Sequence, residues 1–479
     1  MKKRSFKETN IFERNRQASM YKPGNSDWFF PVIAFGVFII IGAICLVIIP
    51  LKTPFMGKPH ISFIDALFMA TSAACVTGLS VIDIGQYFTF TSQMVMLILI
   101  QVGGLGIMTI STGLLTVVGR SISIRSRFIL QDTFTHSPQS DILSLIKRIV
   151  VFTAVFEAAG TALLIPGFFK RSGDISKSLW EALFHSISAF CNAGFSLFPN
   201  SLMEYRADPL VVLTVSGLIV SGGIGFLVLN ELYWTVKSTL SPKKIWHRLS
   251  LHSKIVLLTT FWLILLGFLL FFIAEWNVTM KGFSLSERIL GAIFQSVTPR
   301  TAGFNTLDFA SMTPITIMGT MILMFIGGSP GSTAGGIKTT TMTVLIAVGI
   351  SKFIGKEKPA IFKRSLNDES VNRAFAVLSL GMAIVIAGTA SLLITELGAR
   401  PYGETNGLFV KYLFEVISAF GTVGLSMGVT PELGDSAKLT LTITMFLGRL
   451  GPLVVAAALR PQPRLRGTFV YAEESVMIG

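Results

Sequence analysis

Long runs of uncharged apolar residues constrain this chain more than any other feature of its sequence. The first run covers residues 28–50 and contains no charged side chain. A helix needs about 20 such residues to cross the hydrocarbon core of a bilayer. Seven more long apolar stretches follow, which predicts an all-α integral membrane protein with eight transmembrane helices, at roughly 28–50, 92–118, 149–169, 209–230, 255–274, 309–350, 374–395 and 439–459.

The composition excludes the main soluble classes. Charged residues make up 14% of the chain, whereas a soluble domain carries roughly 25%. No Walker loop or Rossmann fingerprint occurs outside the apolar spans, and no nucleophile with a matching base and acid is apparent. We therefore expect neither an enzyme nor a nucleic-acid-binding protein. Residues 1–27 are polar and basic, which is not typical of a cleavable signal peptide.

The basic residues predict how the chain is oriented. Of the 40 Lys and Arg residues, 26 lie in five segments: 1–27, 119–148, 237–254, 352–373 and 460–479. Basic residues are enriched in cytoplasmic loops of membrane proteins. This distribution predicts a multi-pass protein of the cell membrane with both termini in the cytoplasm.

Four of the connections between the spans are versions of one loop. Each contains a mostly apolar segment too short to cross a bilayer, which favours a re-entrant loop: residues 61–81, 179–199, 288–308 and 410–430. When these segments are aligned on one glycine, three of them have Phe ten residues earlier and Ser six residues earlier. The third departs, with Phe294 nine and Ser296 seven residues before its glycine. The aligned glycines are Gly78, Gly194, Gly303 and Gly424.

The repeat predicts four units of helix, re-entrant loop and helix, since internal periods decide the fold before single motifs do. The units cover residues 28–118, 143–235, 252–350 and 373–460. A cytoplasmic segment, 1–27, precedes them, and a C-terminal tail, 461–479, follows.

The loops have a chemistry suited to a dehydrated cation. The C-terminal end of a half-helix is partially negative and attracts cations, and glycine can adopt the positive φ that turns carbonyl groups to one side. Four such segments form a ring of backbone oxygens that can replace a hydration shell. No carboxylate lies in the glycine-centred segments, which favours a monovalent ion. The alternative is that the glycines serve close helix packing.

The second span of each unit contains a glycine cluster, at residues 101–106, 221–225, 327–336 and 448–452. Each cluster is expected to break or kink its helix, and the third is the longest and most polar. Arg449 lies within the last span, where a charge is costly and usually functional; the alternative is a structural ion pair away from a pore. Arg300 is interpreted as an anchor behind its loop, with Glu157 as a candidate partner. Lys338 is interpreted as an interfacial lysine.

The motifs CVTGLSV, CNAGFSL, PRTAGFN and GTVGLSMG, with MFIGGSPGSTAGGIK and FLGRLGP, resemble those of the Trk/Ktr/HKT superfamily of potassium transporters. The chain is similar to the membrane subunit of bacterial Ktr-type systems from about residue 28 to its end. The resemblance implies that the four repeats surround one pore, as in a potassium channel, with K⁺ held at the four aligned glycines. The implied selectivity filter is Val76, Thr77, Gly78, Leu79, Asn192, Ala193, Gly194, Phe195, Thr301, Ala302, Gly303, Phe304, Thr422, Val423, Gly424 and Leu425.

The resemblance also implies a gate below the filter. Arg449 would lie in the pore beside an intramembrane loop, where its charge opposes cation passage and its hydrogen bonds hold the loop. Glycine at position 78 is associated with potassium, and serine there with sodium. The implied gate residues are Gly327, Gly328, Ser329, Gly331, Ser332, Thr333, Gly335, Gly336 and Arg449.

The partners follow from the resemblance alone. It implies a homodimer in membrane lipid, with residues 469–479 at the dimer interface, and a cytosolic ring of regulatory subunits that bind the nucleotide. The basic loops 119–148, 237–254 and 352–373 would be the docking surface, although the same charges also serve topology and lipid contact. Sodium is a second candidate ion, either coupled to potassium flux or activating it.

Two other functions stay open at this point. A secondary solute carrier also contains broken helices and internal repeats, but it typically has two repeats rather than four. A membrane scaffold without transport would leave the four polar loops without an explanation.

Overall fold

The computed structural model describes residues 26–106, 142–239, 241–356 and 358–451. These residues form helices and one short β-hairpin, and we describe them as four consecutive units. In each unit a long helix is followed by a short helix that ends at one of the aligned glycine loops, and a further helix follows the loop.

Seven helices lie in the described part of the first two units. In the first unit these are α1 (Ser26–Ile48), α2 (Phe63–Ala74), α3 (Ile84–Tyr87) and α4 (Phe90–Leu105). In the second unit they are α5 (Ile142–Ser172), α6 (Ile175–Phe190) and α7 (Pro209–Ile224), with a 3-10 turn at Met203–Tyr205.

The second unit continues into α8 (Phe226–Ser238), and the short helix α9 (Pro242–Arg248) leads to the third unit. The third unit is α10 (Leu251–Ala274), α11 (Leu285–Val297), α12 (Pro314–Phe325) and α13 (Thr339–Phe353), with a 3-10 turn at Phe309–Ser311. The hairpin β1 (Ala360–Ile361) and β2 (Arg364–Ser365) leads to the fourth unit: α14 (Asp368–Leu392, continued by the π-helix Leu393–Leu397), α15 (Leu408–Gly421) and α16 (Asp435–Leu450), with 3-10 turns at Tyr402–Glu404 and Thr430–Glu432.

Side-chain caps set where the short helices begin. The Ser62 hydroxyl accepts a hydrogen bond from the amide of Asp65 at the start of α2. Asp174 accepts two backbone amides at the start of α6, and Ser284 forms a capping box with Glu287 at the start of α11. Such caps satisfy amides that have no partner inside the helix. α15 begins differently, after Gly407 in a left-handed conformation.

The four units close into a ring in chain order. In each unit the helix after the glycine loop packs against the short helix of the next unit: α4 on α6, α7 on α11, α12 on α15 and α16 on α2. The last of these contacts joins the end of the described chain to its beginning. The four short helices are therefore held around one centre.

An ion pair strengthens the contact that closes the ring. Lys438 on α16 lies with its Nζ 2.6 Å from Oδ1 of Asp65 on α2, and both side chains are close to nine-tenths buried. These residues are 373 positions apart in the chain. A buried charge that loses its partner is costly, so this pair favours closure over an open arrangement.

Removing either member of this pair should lower the thermal stability of the purified protein in detergent. Asp65→Ala and Lys438→Ala should each lower the midpoint of unfolding, and the double variant should lose less than the sum of the two. We expect a coupling energy on the order of 0.5–3 kcal/mol, as for charged residues in contact. Additive effects in thermal melts would show that the pair does not stabilise closure.

The length of the helices supports part of the eight-span prediction. Among the described residues, three helices are long and apolar enough to cross a membrane, and a bent pair with a 102° angle makes a fourth candidate. Shorter apolar helices lie within several of the other expected spans, and α4 and α16 end beside residues that are not described. Eight spans therefore stay a prediction. The long helices are Ile146–Ser172, Leu251–Ala274 and Asp368–Leu397, and the bent pair is Pro209–Ile224 with Phe226–Ser238.

The outer helices present large apolar side chains to their surroundings. On α10, Phe261, Trp262 and Leu266 are each more than half exposed, and on α1 the same is true of Ile41. Many large apolar side chains exposed on outer helices are unfavourable in water and mark contact with a membrane or a partner. Together with the apolar helices, they indicate that this protein resides in a membrane.

Several predictions fall on residues outside the described ranges. These are most of the N-terminal segment 1–27, most of the basic loop 119–148, the C-terminal tail 461–479 and its expected dimer contact at 469–479. The ends of the expected spans at 107–118 and 452–459 also lie there.

Candidate functional site

The four aligned glycines meet at the centre of the ring of units. All four have positive φ, between +70° and +96°. A Cβ atom placed on Gly78 would lie 2.6 Å from the carbonyl oxygen of Ala193 and 3.1 Å from Cα of Gly194. We call these four residues the glycine ring, because the same approach recurs from each unit to the next: Gly194 to Ala302, Gly303 to Val423, and Gly424 to Thr77.

Two consequences follow from this close approach. A side chain at any ring position would overlap the backbone of the neighbouring unit, so the ring requires glycine for space as well as for φ. The carbonyl oxygens that border the ring belong to the residue before each glycine: Thr77, Ala193, Ala302 and Val423. Backbone oxygens from all four units therefore lie beside the ring glycines.

A second left-handed residue precedes each ring glycine by two positions. Val76, Asn192, Thr301 and Thr422 have φ of +49°, +57°, +72° and +50°. This conformation is strained for β-branched residues and persists only where the surroundings impose it. These residues belong to the implied filter, but the sequence does not predict their left-handed conformation, since Val and Thr do not favour positive φ. The four loops thus share one alternating backbone path despite different side chains.

Hydroxyl groups at the ends of the short helices hold the ring loops. The Ser72 Oγ accepts the amide of Gly78 at 3.1 Å, and the Ser418 Oγ accepts the amide of Gly424 at 3.0 Å. The equivalent Ser188 instead donates to the carbonyl of Phe195 at 2.8 Å. Each loop is therefore anchored to its own short helix.

The third unit uses Thr298 for this role, which explains its departure from the repeat. Thr298 follows Phe294 by four residues, as Ser72 follows Phe68, and its Oγ1 donates to the carbonyl of Phe304 at 2.5 Å. The third loop is one residue shorter between this hydroxyl and its glycine. Ser296, which the alignment compared with the other serines, donates to Ile293 on its own helix instead.

Large buried side chains fix the ring loops from behind. The phenylalanines that begin the shared pattern are fully buried: Phe68, Phe184, Phe294 and Phe414. The apolar residues directly after the ring glycines are at most 2% exposed: Leu79, Phe195, Phe304 and Leu425.

A cavity of about 440 Å³ opens on one side of the glycine ring. Its lining includes all four ring glycines and the small polar residue two positions after each of them: Ser80, Ser196, Asn305 and Ser426. Residues that precede two of the ring glycines, Phe190 and Thr422, contact a different element, the glycine-rich loop of the third unit. The ring therefore separates the cavity from this loop.

The glycine-rich loop, residues 326–337, connects α12 to α13. Its ends meet where the Gly327 amide donates to the carbonyl of Ile337 at 2.9 Å, and the Thr339 amide donates to Gly328 at 3.0 Å. A side chain on Gly335 would overlap Thr422 of the fourth ring loop. Gly336 lies beside Gly421 at the end of α15. The loop thus lies against residues that lead into the glycine ring.

The loop also binds the broken helix of the second unit. The amides of Ser329 and Thr333 donate to the carbonyls of Gly223 and Gly222, and the amide of Phe226 donates to Gly331. The break between α7 and α8 at Gly225 frees these backbone groups for the loop. Two side-chain bonds have other partners: Ser332 Oγ donates to the Ser329 carbonyl within the loop at 2.6 Å, and Thr333 Oγ1 donates at 3.2 Å to the carbonyl of Phe190 at the end of α6.

Arg449 joins the loop to two other units. One guanidinium nitrogen donates to the carbonyl of Thr333 in the loop, and another donates to the carbonyl of Gly103 at the end of α4. These contacts differ from the ion pair that was the alternative interpretation of Arg449, because both partners are backbone carbonyls. Arg449 thus connects the fourth unit, the loop and the first unit at one point.

Three other charged residues differ from their sequence interpretation or refine it. The interpretation of Glu157 as a partner of Arg300 is wrong: within the described ranges Arg300 donates to Thr260 at 3.2 Å, and Glu157 accepts from Gln101 at 3.2 Å. Lys338 does not extend away from the glycine-rich loop, because its Nζ donates to the Ala334 carbonyl at 2.7 Å.

The comparisons with known proteins agree with this arrangement. A model of the family TrkH, described as a cation transport protein, matches residues 15–467. The chain is 40% identical to the Ktr system potassium uptake protein B of Bacillus subtilis over 426 residues, 88% of this chain and 91% of that protein. It is 36% identical to the potassium/sodium uptake protein NtpJ of Enterococcus hirae over 436 residues, 90% of this chain and 93% of that protein.

A solved structure shows the same fold. The potassium transporter TrkH from Vibrio parahaemolyticus superposes with a TM-score of 0.71 at 20% identity, over 92% of this chain and 86% of that one. With the family model and these relatives, the likeness establishes what the four units and their glycine ring indicated: the chain belongs to the TrkH family of cation transport proteins.

Proposed function

We propose that this protein conducts potassium ions across the cell membrane through the glycine ring. The observation that carries the proposal is the closure of the four ring glycines in chain order, bordered by the carbonyl oxygens of the residues before them. Backbone oxygens in such a ring replace the hydration shell of a monovalent cation. The relatives' names, which speak of potassium uptake, support potassium as the ion.

The proposed membrane arrangement follows from this role. Eight helices cross the bilayer, the four short helices α2, α6, α11 and α15 enter it as re-entrant elements, and both termini lie in the cytoplasm. Half-helices that point their C-terminal ends at the ring favour a cation there. This arrangement is supported by the apolar outer surface and by the four short helices that share one centre.

We propose that the glycine-rich loop and Arg449 gate the pore. The loop lies on the side of the ring opposite the cavity, and Arg449 holds it through the Thr333 carbonyl. A loop of small residues can move at low cost once these bonds break. A cytosolic ring of nucleotide-binding subunits would drive that movement, and a homodimer would carry two such pores. Sodium is proposed as a second ion, which the potassium/sodium name of one relative supports.

The test is ion flux into proteoliposomes that contain the purified chain, with and without its regulatory partner. We expect potassium flux down its gradient and a clear preference over sodium. A solute carrier would instead require an organic substrate for any ion movement. Absence of potassium flux even with the partner present would refute the pore.

Gly78→Ser should shift selectivity toward sodium. The added side chain would contact the Ala193 carbonyl and change the spacing of the ring oxygens. We expect the potassium-to-sodium permeability ratio, measured from reversal potentials, to fall about tenfold, which corresponds to about 1.4 kcal/mol. Gly349→Ser is the matched control, because a Cβ atom there would have no atom of another element within 4 Å. An equal ratio in the two variants would argue against a role of Gly78 in selectivity.

A further inference from the structure

One residue of each short helix reaches the segment that follows its own ring glycine. These four residues stand directly after the buried phenylalanines, and we call them the brace residues: Met69, His185, Gln295 and Glu415. They are therefore equivalent in the fourfold repeat, although their side chains are a thioether, an imidazole, an amide and a carboxylic acid. Nothing in the aligned glycine motifs points to them.

The brace of the fourth unit makes the most contacts. Oε1 of Glu415 accepts hydrogen bonds from the hydroxyl of Ser426 and, at 3.2 Å, from the amide of Met427. Oε2 accepts from the hydroxyl of Thr430 at 2.9 Å. All three donors lie two to six positions after Gly424, so one side chain holds the whole segment that leaves the ring.

The braces of the second and third units hold the same segment with fewer bonds. Nε2 of His185 lies 2.9 Å from the Ser196 hydroxyl. The Gln295 amide, oriented so that its oxygen faces donors, accepts the amides of Thr306 and Leu307 at 3.2 and 2.8 Å.

The first unit has the weakest brace. The Ser80 hydroxyl donates to the Met69 sulfur at 3.4 Å, and a thioether is a weak acceptor. The strength of the brace therefore differs strongly between units that are otherwise equivalent.

The position of these contacts links them to the ion path. Ser80, Ser196 and Ser426, which the braces contact, line the 440 Å³ cavity beside the ring glycines, and so does Thr430. Glu415 itself is fully buried, and no Lys or Arg pairs with it among the residues that the structure describes. Its contacts therefore serve the loop rather than an ion pair.

We propose that the brace residues are positioning residues for the glycine ring, and that potassium selectivity depends most on Glu415. The inference rests on the proposed function and deepens it. Without the brace, the segment after Gly424 loses three bonds to its helix, and the ring oxygen of Val423 loses its fixed distance from the other three. A ring of variable size accommodates a smaller cation as well as potassium.

The test compares Glu415→Ala with Glu415→Gln in proteoliposomes. Alanine removes all three bonds. Glutamine keeps them, since its oxygen accepts from Ser426 and Met427 and its amide group donates to the Thr430 hydroxyl. We expect the potassium-to-sodium permeability ratio to fall about tenfold in the alanine variant and to stay within about threefold of wild type in the glutamine variant.

Controls separate this role from general stability and from the proposed function. Glu181→Ala removes a carboxylate from α6 that lies 3.9 Å from Lys177, and it should leave the ratio unchanged. If Glu415→Ala is not recovered folded, Thr430→Val removes one of the three donors and should lower the ratio about two- to fourfold.

The outcomes are distinct. An unselective wild-type protein overturns the proposed function and the positioning role with it. If the wild-type flux is selective and the potassium-to-sodium permeability ratio is unchanged in Glu415→Ala, the positioning role alone is overturned. The same holds for Thr430→Val if that variant replaces Glu415→Ala in the test. A loss in Glu415→Gln as large as in Glu415→Ala also overturns it, because charge rather than position would then matter.

Discussion

Gly424→Ala should reduce potassium flux at least about a hundredfold, an increase of roughly 2.7 kcal/mol or more in the barrier to permeation. Gly424 has a φ of +88°, where a residue with a Cβ is strained. The new Cβ would overlap the carbonyl oxygen of Thr77 and lie 2.8 Å from Cα of Gly78. Since both contacts are with backbone, neither can yield without moving the first unit's loop. The measurement is the initial rate of potassium uptake into proteoliposomes.

The matched control for this prediction is Gly217→Ala on α7. A side chain at Gly217 meets no atom within 4 Å and its φ is not positive, so flux should stay within about twofold, and alanine is the better helix former. Comparable flux in Gly424→Ala and Gly217→Ala would show that the ring does not lie on the ion path. The thermal melt and the monodispersity of purified Gly424→Ala would show separately whether the variant is folded.

Arg449→Ala should raise potassium flux in the absence of the regulatory partner. The substitution removes the bonds to the Thr333 and Gly103 carbonyls, which hold the glycine-rich loop between the first and fourth units. Hydrogen bonds to charged groups contribute about 1.5–3 kcal/mol each. A shift of about 1.4 kcal/mol in the gate equilibrium already changes the open population about tenfold, so we expect an increase of about that size.

Arg449→Lys separates charge from geometry in the same experiment. Lysine keeps a positive charge near the pore, but a single ammonium does not span two carbonyls as a planar guanidinium does. We expect flux between that of wild type and that of Arg449→Ala. Unchanged flux in both variants, with lower thermal stability alone, would indicate a structural residue and contradict the gate.

The local pattern of the sequence was sufficient for several results. Apolar runs predicted the helical fold, and the glycine clusters marked positions where helices end. The breaks occur at Gly106, Gly225 and Gly451, each with positive φ, since glycine is the residue that adopts this conformation without strain. The family followed from the same motifs, and the family model and relatives confirm it.

Other features had no signal in the sequence because they depend on contacts between distant residues. The left-handed Val76 and Thr422 contradict local preference and exist only because neighbouring units enclose them. The pairing of Arg300 with Glu157 was wrong for the same reason, since spacing along the chain does not show which helices meet. An alignment of the third loop on Phe294, rather than on its glycine, would have identified Thr298 as the equivalent of Ser72.

What the sequence alone determined was the repeated unit: its helices, its glycine loop and its membrane environment, all of which follow from periodicity and local conformation. The tertiary structure decided how the units meet. Closure of the ring joins α2 to α16 across 373 residues of chain, and it brings four loops together so closely that backbone alone fits. The contacts of Glu415 also depend on the tertiary structure, because its three hydrogen-bond donors lie on the folded loop that follows Gly424.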